Sequence, residues 1–330
     1  LDKPRCSRMP SDRIPFTLLS VMTIVRFILI VGIASGAGCS STPKVTSPSH
    51  APALQEVSLT NEQQVTIEAA EIAKEFGDYD EALMMFKEVL DQNPVATDAF
   101  VGMGEIYLVQ KRWNKAEPVY ARAAKLDPRN FDAQYGHGVS LQMMKRFVDA
   151  VRAYHRALTI NPEDVGANVN IATTYLQMGR PQSALVFAER ATDLNGASAG
   201  AQMTLAATYQ LLGLPNQALG AYIAASELLT EPSPQLMRNI IYLLTIEKRY
   251  REVVNTTEQL VQIDPTSDSY ERLGWAQFRL SDYQASLEAY KISVGYDDRN
   301  WRSLNGIGVN ELNAWLLSEK TNTSAFQNAR

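Results

Sequence analysis

A spacing of 34 residues recurs along most of this chain and constrains its fold more than any other feature. Pro94, Pro128 and Pro162 each close a short polar turn and stand 34 residues apart. Small and aromatic residues keep the same interval over five consecutive units, which indicates an internal repeat. The series are Ala82, Ala116, Ala150, Ala184 and Ala218; Phe86, Tyr120, Tyr154 and Tyr222, with Ala188 in the missing place; and Ala70, Gly104, Gly138, Ala172 and Ala206.

Each unit is predicted to be a pair of short helices. The apolar residues follow helical spacing twice, with a polar turn such as QKRW or MGRP between the two runs. A Gly or Ala on the first helix lets the second helix approach, and the aromatic ring fills the space between layers. Proline then stops the second helix, because it would remove a hydrogen bond there. Seven units are predicted, with a partial eighth from Trp301: residues 63–96, 97–130, 131–164, 165–198, 199–232, 234–266 and 267–300.

Three segments carry a family resemblance: GDYDEAL at 77–83, GMGEIY at 102–107 and YARAAKLDP at 120–128. They look like the tetratricopeptide repeat, and the resemblance covers nearly everything from residue 63 onward. It implies an all-α, right-handed solenoid of about seven helix-turn-helix repeats plus a partial C-terminal repeat. The chain departs from the pattern mainly in its later units, where looser joints are expected: Gly196, Thr230, Val253, Thr257, Ser286 and Ser293.

The N-terminal segment has the pattern of an export signal. Residues 14–34 are apolar, follow four basic residues and end in the small-residue run SGAGCSS. This resembles a bacterial lipoprotein signal, which implies acylation of Cys39, although Gly36 stands where that family usually has a branched aliphatic residue. The alternative is an uncleaved transmembrane helix over residues 14–35, against which Arg26 argues, since a mid-bilayer Arg costs about 2.5–3.5 kcal/mol.

Both alternatives place the repeats outside the cytoplasmic membrane. The first predicts a lipid-anchored protein on the periplasmic face of the cell envelope, and the second a single-pass inner-membrane anchor with periplasmic repeats. The predicted organisation has four parts: a signal or anchor segment at 1–39, a flexible Ser/Thr/Pro tether and helix entry at 40–62, the repeat solenoid at 63–318 and a polar tail at 319–330.

Charge and cysteine content exclude several classes of function. Six Lys or Arg and two Asp give residues 1–50 a net charge of +4, so the remainder carries −9 of the total −5. An acidic body lacks the phosphate-neutralising surface that nucleic-acid binding needs. The two cysteines, Cys6 and Cys39, both precede the repeats, so neither a disulfide framework nor a thiolate metal site is expected in the body.

No catalytic site is predicted, because the repeats leave no room for a separate domain. The body has only two histidines: His137 takes a place where the repeat usually packs an aliphatic residue, and His155 follows the packing residue Tyr154. Both are interpreted as structural rather than as metal ligands. We therefore expect no enzyme activity, no metal, no cofactor and no small-molecule substrate.

Function is instead expected on the concave face, which tetratricopeptide-repeat proteins line with the first helix of every unit. The second, fifth, ninth, twelfth and thirteenth places of each unit supply mostly apolar side chains, which favour an amphipathic helix or an extended segment of a partner protein. An alternative interpretation is that some of them contact neighbouring helices. The predicted contacts are Val101, Glu105, Leu108, Tyr135, Val139, Met143, Val169, Thr173, Leu176, Met203 and Leu211.

The leading hypothesis is a non-catalytic, membrane-tethered scaffold that captures a partner protein in this groove. The chaperone-binding branch of the family grips a C-terminal carboxylate with Lys and Asn, which the equivalent places here lack. Two alternatives stay open. One is a lipoprotein that assists assembly of a pilus or secretion complex, which the order of signal, cysteine, tether and repeats resembles. The other is a self-associating envelope protein, for which the helix near Leu304 to Leu317 would have to present apolar residues outward.

Overall fold

The computed structural model describes residues 59–317, in which helices joined by short turns are the only regular elements. The prediction of an all-α solenoid is confirmed. Cys39, the signal and most of the tether, together with the tail, lie outside the described residues. Fifteen helices follow one another: α1 Asn61–Phe76, α2 Tyr79–Gln92, α3 Thr97–Val109, α4 Trp113–Leu126, α5 Phe131–Met143, α6 Phe147–Ile160, α7 Val165–Gln177, α8 Pro181–Leu194, α9 Ala199–Leu211, α10 Pro215–Glu227, α11 Pro234–Ile246, α12 Tyr250–Ile263, α13 Ser267–Arg279, α14 Tyr283–Tyr296 and α15 Trp301–Leu317.

The helices form seven hairpins, each with an odd-numbered first helix and an even-numbered second helix, and α15 stands as a first helix after the last hairpin. Side-chain caps begin most first helices: Asn130 Oδ1 accepts from the Ala133 N–H at 2.8 Å, and Asp164 Oδ1 from the Ala167 N–H at 2.6 Å. Such caps satisfy amide groups that have no partner inside the helix. Among residues 59–317, no helix is long and apolar enough to cross a bilayer.

The turn inside each hairpin requires one residue with positive φ. Three hairpins place Gly there, whereas the others use Lys111, Lys145, Lys248 and Ser281, with φ between 58° and 64°. Left-handed backbone costs a non-glycine residue roughly 1–2 kcal/mol. The repeat therefore keeps this turn geometry even where the sequence makes it unfavourable.

Aromatic rings and glycines explain why the hairpins stack. Tyr120 in α4 is enclosed between α3 and α5, and a Cβ added at Gly104 or Gly136 would stand 2.6 or 2.3 Å from its ring. Gly306 makes the same close approach to Tyr290, at 2.4 Å, while a Cβ at Gly274 would stand 3.0 Å from that ring. Glycine is required at 104, 136 and 306 because the neighbouring ring occupies the volume of a side chain.

In the sixth hairpin the large and small side chains change places between the two helices. Thr257 stands in α12 at the place of the aromatic ring, while Ile241 takes the small-residue place on α11, and both are buried. A larger residue on the first helix thus fills space that a ring on the second helix fills elsewhere.

First helices of neighbouring hairpins lie close together, and this gives the solenoid an inner face. The approach joins α1 with α3, α3 with α5, α5 with α7, α7 with α9 and α13 with α15, whereas no comparable approach joins successive second helices within residues 59–317. First helices therefore line the more tightly curved side. Of the looser joints that were expected, the one at the sixth unit is present, because α11 makes no such approach to α9 or α13. The expectation is wrong for Gly196 and for Ser286 and Ser293, since α7 with α9 and α13 with α15 approach closely. A cavity of about 380 Å³ lies beside α11, lined by Ile223, Leu229, Met237 and Ile240 among others.

Candidate partner-binding groove

The predicted contact residues share one face of the first helices because they recur at intervals of three or four residues. The structure divides this face into three zones that differ in exposure. A closed floor runs along the middle, half-open side chains flank it, and a line of exposed apolar residues follows the C-terminal ends of the helices.

The floor is closed by packing between neighbouring first helices. Val139, Val169, Leu176 and Met203 are all buried in the core clusters. Thr173 is 0% exposed, and its Oγ1 donates to the Val169 carbonyl at 2.7 Å. Thr173 therefore offers no surface to a partner in this structure, which agrees with the interpretation that some of these side chains contact neighbouring helices.

Val101, Leu108, Tyr135 and Met143 are half-buried and pack against those clusters. The Tyr135 ring is held on three sides: it stacks on Phe131 with 5.7 Å between ring centroids, lies 6.0 Å from the Tyr154 centroid, and its Oη accepts from Asn170 Nδ2 at 2.8 Å. Burial raises the pKa of Tyr135 well above its usual value, and the Asp164 carboxylate adds to the effect. Tyr135 thus stays a neutral, fixed wall of the groove.

Glu105 is paired within the chain. Lys74 of α1 contacts both Glu71 of the same helix and Glu105 of α3. These carboxylates raise the pKa of the Lys74 ammonium against the opposing effect of burial. A partner that uses Glu105 must therefore compete with Lys74.

Exposed apolar side chains occupy the thirteenth place of several first helices. Leu211 is 37% exposed, and two residues beyond the predicted contacts share this place: Val109 is 51% exposed and Ile246 is 46% exposed. Val109 and Ile246 are the thirteenth residues of the predicted units 97–130 and 234–266, so the repeat register points to both of them. We call these three residues, with Met143, the apolar rim.

Carboxylates stand at the opposite ends of the first helices. Asp98, Asp132 and Asp164 lie at the start of α3, α5 and α7, and we call them the acidic rim. Burial raises the pKa of Asp132, and the charges of Asp164 and Asp98 raise it further. The three negative charges therefore repel one another, which a cation placed between them would relieve.

The two histidines of the body do not form a metal site. His137 Nε2 lies 3.5 Å from Glu117 Oε1, and its buried Nδ1 has no hydrogen-bond partner. Burial lowers the pKa of His137 although Glu117 partly opposes this. His155 Nε2 lies 3.3 Å from Tyr175 Oη and its ring packs edge-on against Phe187. Within residues 59–317, no group of three or more His, Cys, Asp or Glu is arranged to hold a metal ion.

Comparison with known families identifies the repeat. Residues 73–137 and 141–192 match one sequence model described as tetratricopeptide repeat, and residues 112–165 match a second with the same description. The hairpins in residues 73–192 therefore match the sequence pattern of the tetratricopeptide repeat. Among curated proteins, none matches the sequence of this chain.

Solved structures show the same architecture over a larger part of the chain. A PilF structure from Pseudomonas aeruginosa is 20% identical with a TM-score of 0.56, covering 63% of this chain and 94% of that chain. PilW, described as a widely conserved type IV pilus biogenesis factor, is 17% identical with a TM-score of 0.58, covering 64% and 97%. A tetratricopeptide-repeat protein from Parabacteroides merdae is 16% identical with a TM-score of 0.53, covering 76% and 99%. At these identities the likeness concerns the fold.

Proposed function

We propose that this chain is a non-catalytic scaffold that captures a partner protein along its first-helix face. The observation that carries the proposal is the apolar rim, because exposed apolar residues on one continuous face mark an interaction surface more often than scattered ones do. Val109, Leu211 and Ile246 are exposed and Met143 is half-buried, and together they occupy this place in four of the five first helices from α3 to α11. The closed floor beneath them supplies a rigid support, so little ordering is required when a partner binds.

The two rims define the chemistry of the partner. An apolar stripe on the partner would cover Val109, Met143 and Leu211, while Lys or Arg side chains along one edge of the partner would reach Asp98 and Asp132. An amphipathic helix with a basic edge, or an extended segment with the same alternation, fits this face. Cations near the acidic rim would also relieve the repulsion that raises the pKa of Asp132.

Capture is tested by paired substitutions on the two sides of the solenoid. Leu211→Asp places a charge on the apolar rim, and Val186→Asp is the matched control because Val186 is 66% exposed on the second helix α8. The amount of partner protein that is crosslinked in the cell and co-purified with the chain should fall at least tenfold for Leu211→Asp and stay unchanged for Val186→Asp. Circular dichroism should show equal helicity for both variants. Equal recovery from both variants would rule out the apolar rim as the docking surface.

The N-terminal segment is proposed to tether this scaffold to the membrane, with the repeats on the periplasmic side. Acylation at Cys39 is the expected anchor, and Cys39→Ser should release the chain into the soluble fraction after cell breakage. A Cys39→Ser chain that stays in the membrane would instead favour residues 14–35 as a spanning helix.

A more specific candidate is an assembly factor for a pilus or secretion complex. The fold shared with PilF and PilW, and the layout of signal, cysteine, tether and repeats, favour it. Deleting the gene should then abolish pilus assembly or secretion in the source organism, and Leu211→Asp should reproduce that loss. Intact pili and secretion in the deletion strain would reject this candidate while leaving the scaffold proposal in place.

A further inference from the structure

The last residue of α13 places a positive charge in line with the apolar rim. Arg279 is the thirteenth residue of α13, which is the place that Val109, Leu211 and Ile246 occupy in their own helices. Arg279 is also exposed. The line of thirteenth places therefore runs from mostly apolar residues in hairpins two to six to a cation in hairpin seven.

Two aromatic rings hold this guanidinium. Arg279 Nη2 donates to Tyr250 Oη at 2.6 Å, and Arg279 Cζ lies 4.7 Å from the centroid of the Tyr250 ring and 5.7 Å from that of Trp275. The two rings meet edge-on with 5.7 Å between their centroids. The hydrogen bond and the cation–π contacts fix the position of the charge before a partner binds. We call Arg279, Tyr250 and Trp275 the arginine site.

No carboxylate within residues 59–317 forms an ion pair with Arg279, because the nearby ones are engaged elsewhere. Glu252 pairs with Arg249 at 2.6 Å, and the charge of Glu247 also acts on Arg249. Asp282 accepts a backbone N–H at the start of α14. A guanidinium has several N–H donors, and the tyrosine hydroxyl accepts from only one nitrogen. The arginine site therefore keeps donors for a carboxylate from outside the described part of the chain.

We propose that the partner segment held along the apolar rim carries an Asp or Glu side chain that pairs with Arg279, while its apolar neighbours cover Ile246 and the open part of Trp275. This inference rests on the proposed capture of a partner by the first-helix face, and it names the chemistry that the last hairpins recognise. Arg and aromatic residues dominate many binding surfaces, and the fork of an Arg matches a carboxylate with two hydrogen bonds. A guanidinium already held in place loses little side-chain entropy when it pairs.

The charges of the groove differ between its two ends, and this sets the direction of the segment. The acidic rim, Asp98, Asp132 and Asp164, lies in hairpins two to four, whereas Arg279 stands in hairpin seven. A segment that satisfies both ends has its basic side chains over α3 to α7 and its acidic side chain beside α13. Charge complementarity therefore selects one direction along the solenoid, which apolar contacts alone leave open.

The carboxylate is assigned to a side chain within the segment rather than to a chain end. Beyond Arg279 the first-helix face continues onto α15, which approaches α13 closely. A bound segment can therefore extend past the arginine site.

The first experiment uses a displayed library of random peptides, selected on the purified full chain in mild detergent. Peptides that lose binding to Leu211→Asp occupy the apolar rim. They should share an Asp or Glu, and Arg279→Gln should lower their affinity about tenfold. Arg190→Gln is the matched control and should leave the affinity unchanged, since Arg190 is exposed on the second helix α8. Circular dichroism should show equal helicity for both variants.

Charge reversal separates recognition from a structural role of Arg279. Arg279→Glu should bind peptides whose acidic residue has been replaced by Lys better than it binds the original peptides. A residue that only ties α13 to α12 would give no such exchange, and its absence would overturn the proposal. Tyr250→Phe removes the hydroxyl that holds the guanidinium, so it should weaken the acidic peptides and leave their neutral variants unchanged. Equal effects on both sets of peptides would contradict the proposed contact.

Two further results distinguish the acidic contact from the groove and from a chain end. Peptides that depend on Leu211 but bind Arg279→Gln as tightly as the wild type overturn the acidic contact and leave partner capture intact. A library without any Leu211-dependent peptide counts against the groove, and with it against this proposal. Amidation of the peptide C-terminus should not change the affinity, and a loss of binding would assign the site to a chain end instead.

Other occupants of the arginine site are detected with a photoreactive amino acid at Leu280, which follows Arg279 and is 43% exposed. In the purified chain alone, irradiation should give no dimer and no crosslink to residues 318–330. A crosslink to those residues, which include Glu319, would show that the same chain fills the site. A crosslinked dimer would show that a second copy does. Either product overturns the proposal.

Discussion

Adding one methyl group at Gly136 tests the packing rule on which the solenoid depends. Gly136 lies in α5 against the ring of Tyr120 in the preceding hairpin, and a Cβ there would stand 2.3 Å from both Cε1 and Cζ. Tyr120 is 2% exposed, and Gly104 encloses its ring from the other side. The ring therefore has no free volume to move into, and Gly136→Ala must push α5 away from α4.

The magnitude follows from two opposing effects. Overpacking a close-packed core costs about 1–3 kcal/mol. Replacing Gly by Ala inside a helix stabilises by about 1 kcal/mol, because Ala has the higher helix propensity. Gly220→Ala in α10 is the matched control, since nothing lies within 4 Å of a Cβ at that place. Subtracting one change in the free energy of unfolding from the other removes the contribution of helix propensity. Gly220→Ala should then be more stable than Gly136→Ala by about 1–3 kcal/mol.

The assay is thermal and urea unfolding of both variants, followed by far-ultraviolet circular dichroism. Hydrogen exchange should locate the loss of protection in α4 and α5, since a solenoid transmits strain mainly to neighbouring hairpins. Tyr120→Leu in the Gly136→Ala background should cost less than the two single changes together, because the ring that causes the clash is gone. If Gly136→Ala stabilises as much as Gly220→Ala, the packing rule is refuted.

Three further changes test the turns and the titratable groups. Lys145→Gly should raise stability by about 1 kcal/mol in urea unfolding, because φ at this turn is 62°; no gain would contradict the strain argument. Burial lowers the folded-state pKa of His137, so neutral His137 contributes stability that is lost as pH falls below about 6.5. The melting temperature of His137→Leu should therefore fall less between neutral and acidic pH than that of the wild type. An equal fall in both proteins would refute this. The raised pKa of Asp132 means that its protonated carboxyl group favours the fold at acidic pH, and this contribution is lost as pH rises through the folded-state pKa. Asp132→Asn should therefore melt higher at neutral pH yet capture less partner, and unchanged capture would remove the acidic rim from the groove.

Most of the fold follows from the period of the sequence, because each hairpin repeats the same contact between a small residue and a neighbouring element. Gly104 and Tyr120 lie 16 residues apart, and the same pair recurs as Gly138 with Tyr154. The sixth hairpin is harder to derive, since Ile241 and Thr257 exchange sizes and the preceding connection is longer. Its looser joint was expected from Val253 and Thr257, but the cavity beside α11 depends on distances that a sequence pattern does not contain.

The sequence predicts which face of the first helices forms the groove, but not which residues of that face are exposed. Helical spacing places Val139, Thr173 and Leu211 on one side of their helices, yet only Leu211 is exposed. Exposure depends on how closely neighbouring first helices approach, and that approach is set by residues on their other sides. The pairing of Lys74 with Glu105 likewise joins two hairpins and has no signal within either one. Whether Leu211 and its neighbours bind a partner stays a prediction.

Partner capture on the first-helix face of this solenoid can be measured by photo-crosslinking in living cells. A photoreactive amino acid is placed in turn at Leu211 and Val109 on the apolar rim and at Val186 and Ile223 on second helices. We expect one heterologous protein to crosslink from Leu211 and Val109 and none from Val186 or Ile223. Crosslinks confined to Val186 or Ile223 would contradict partner capture on that face.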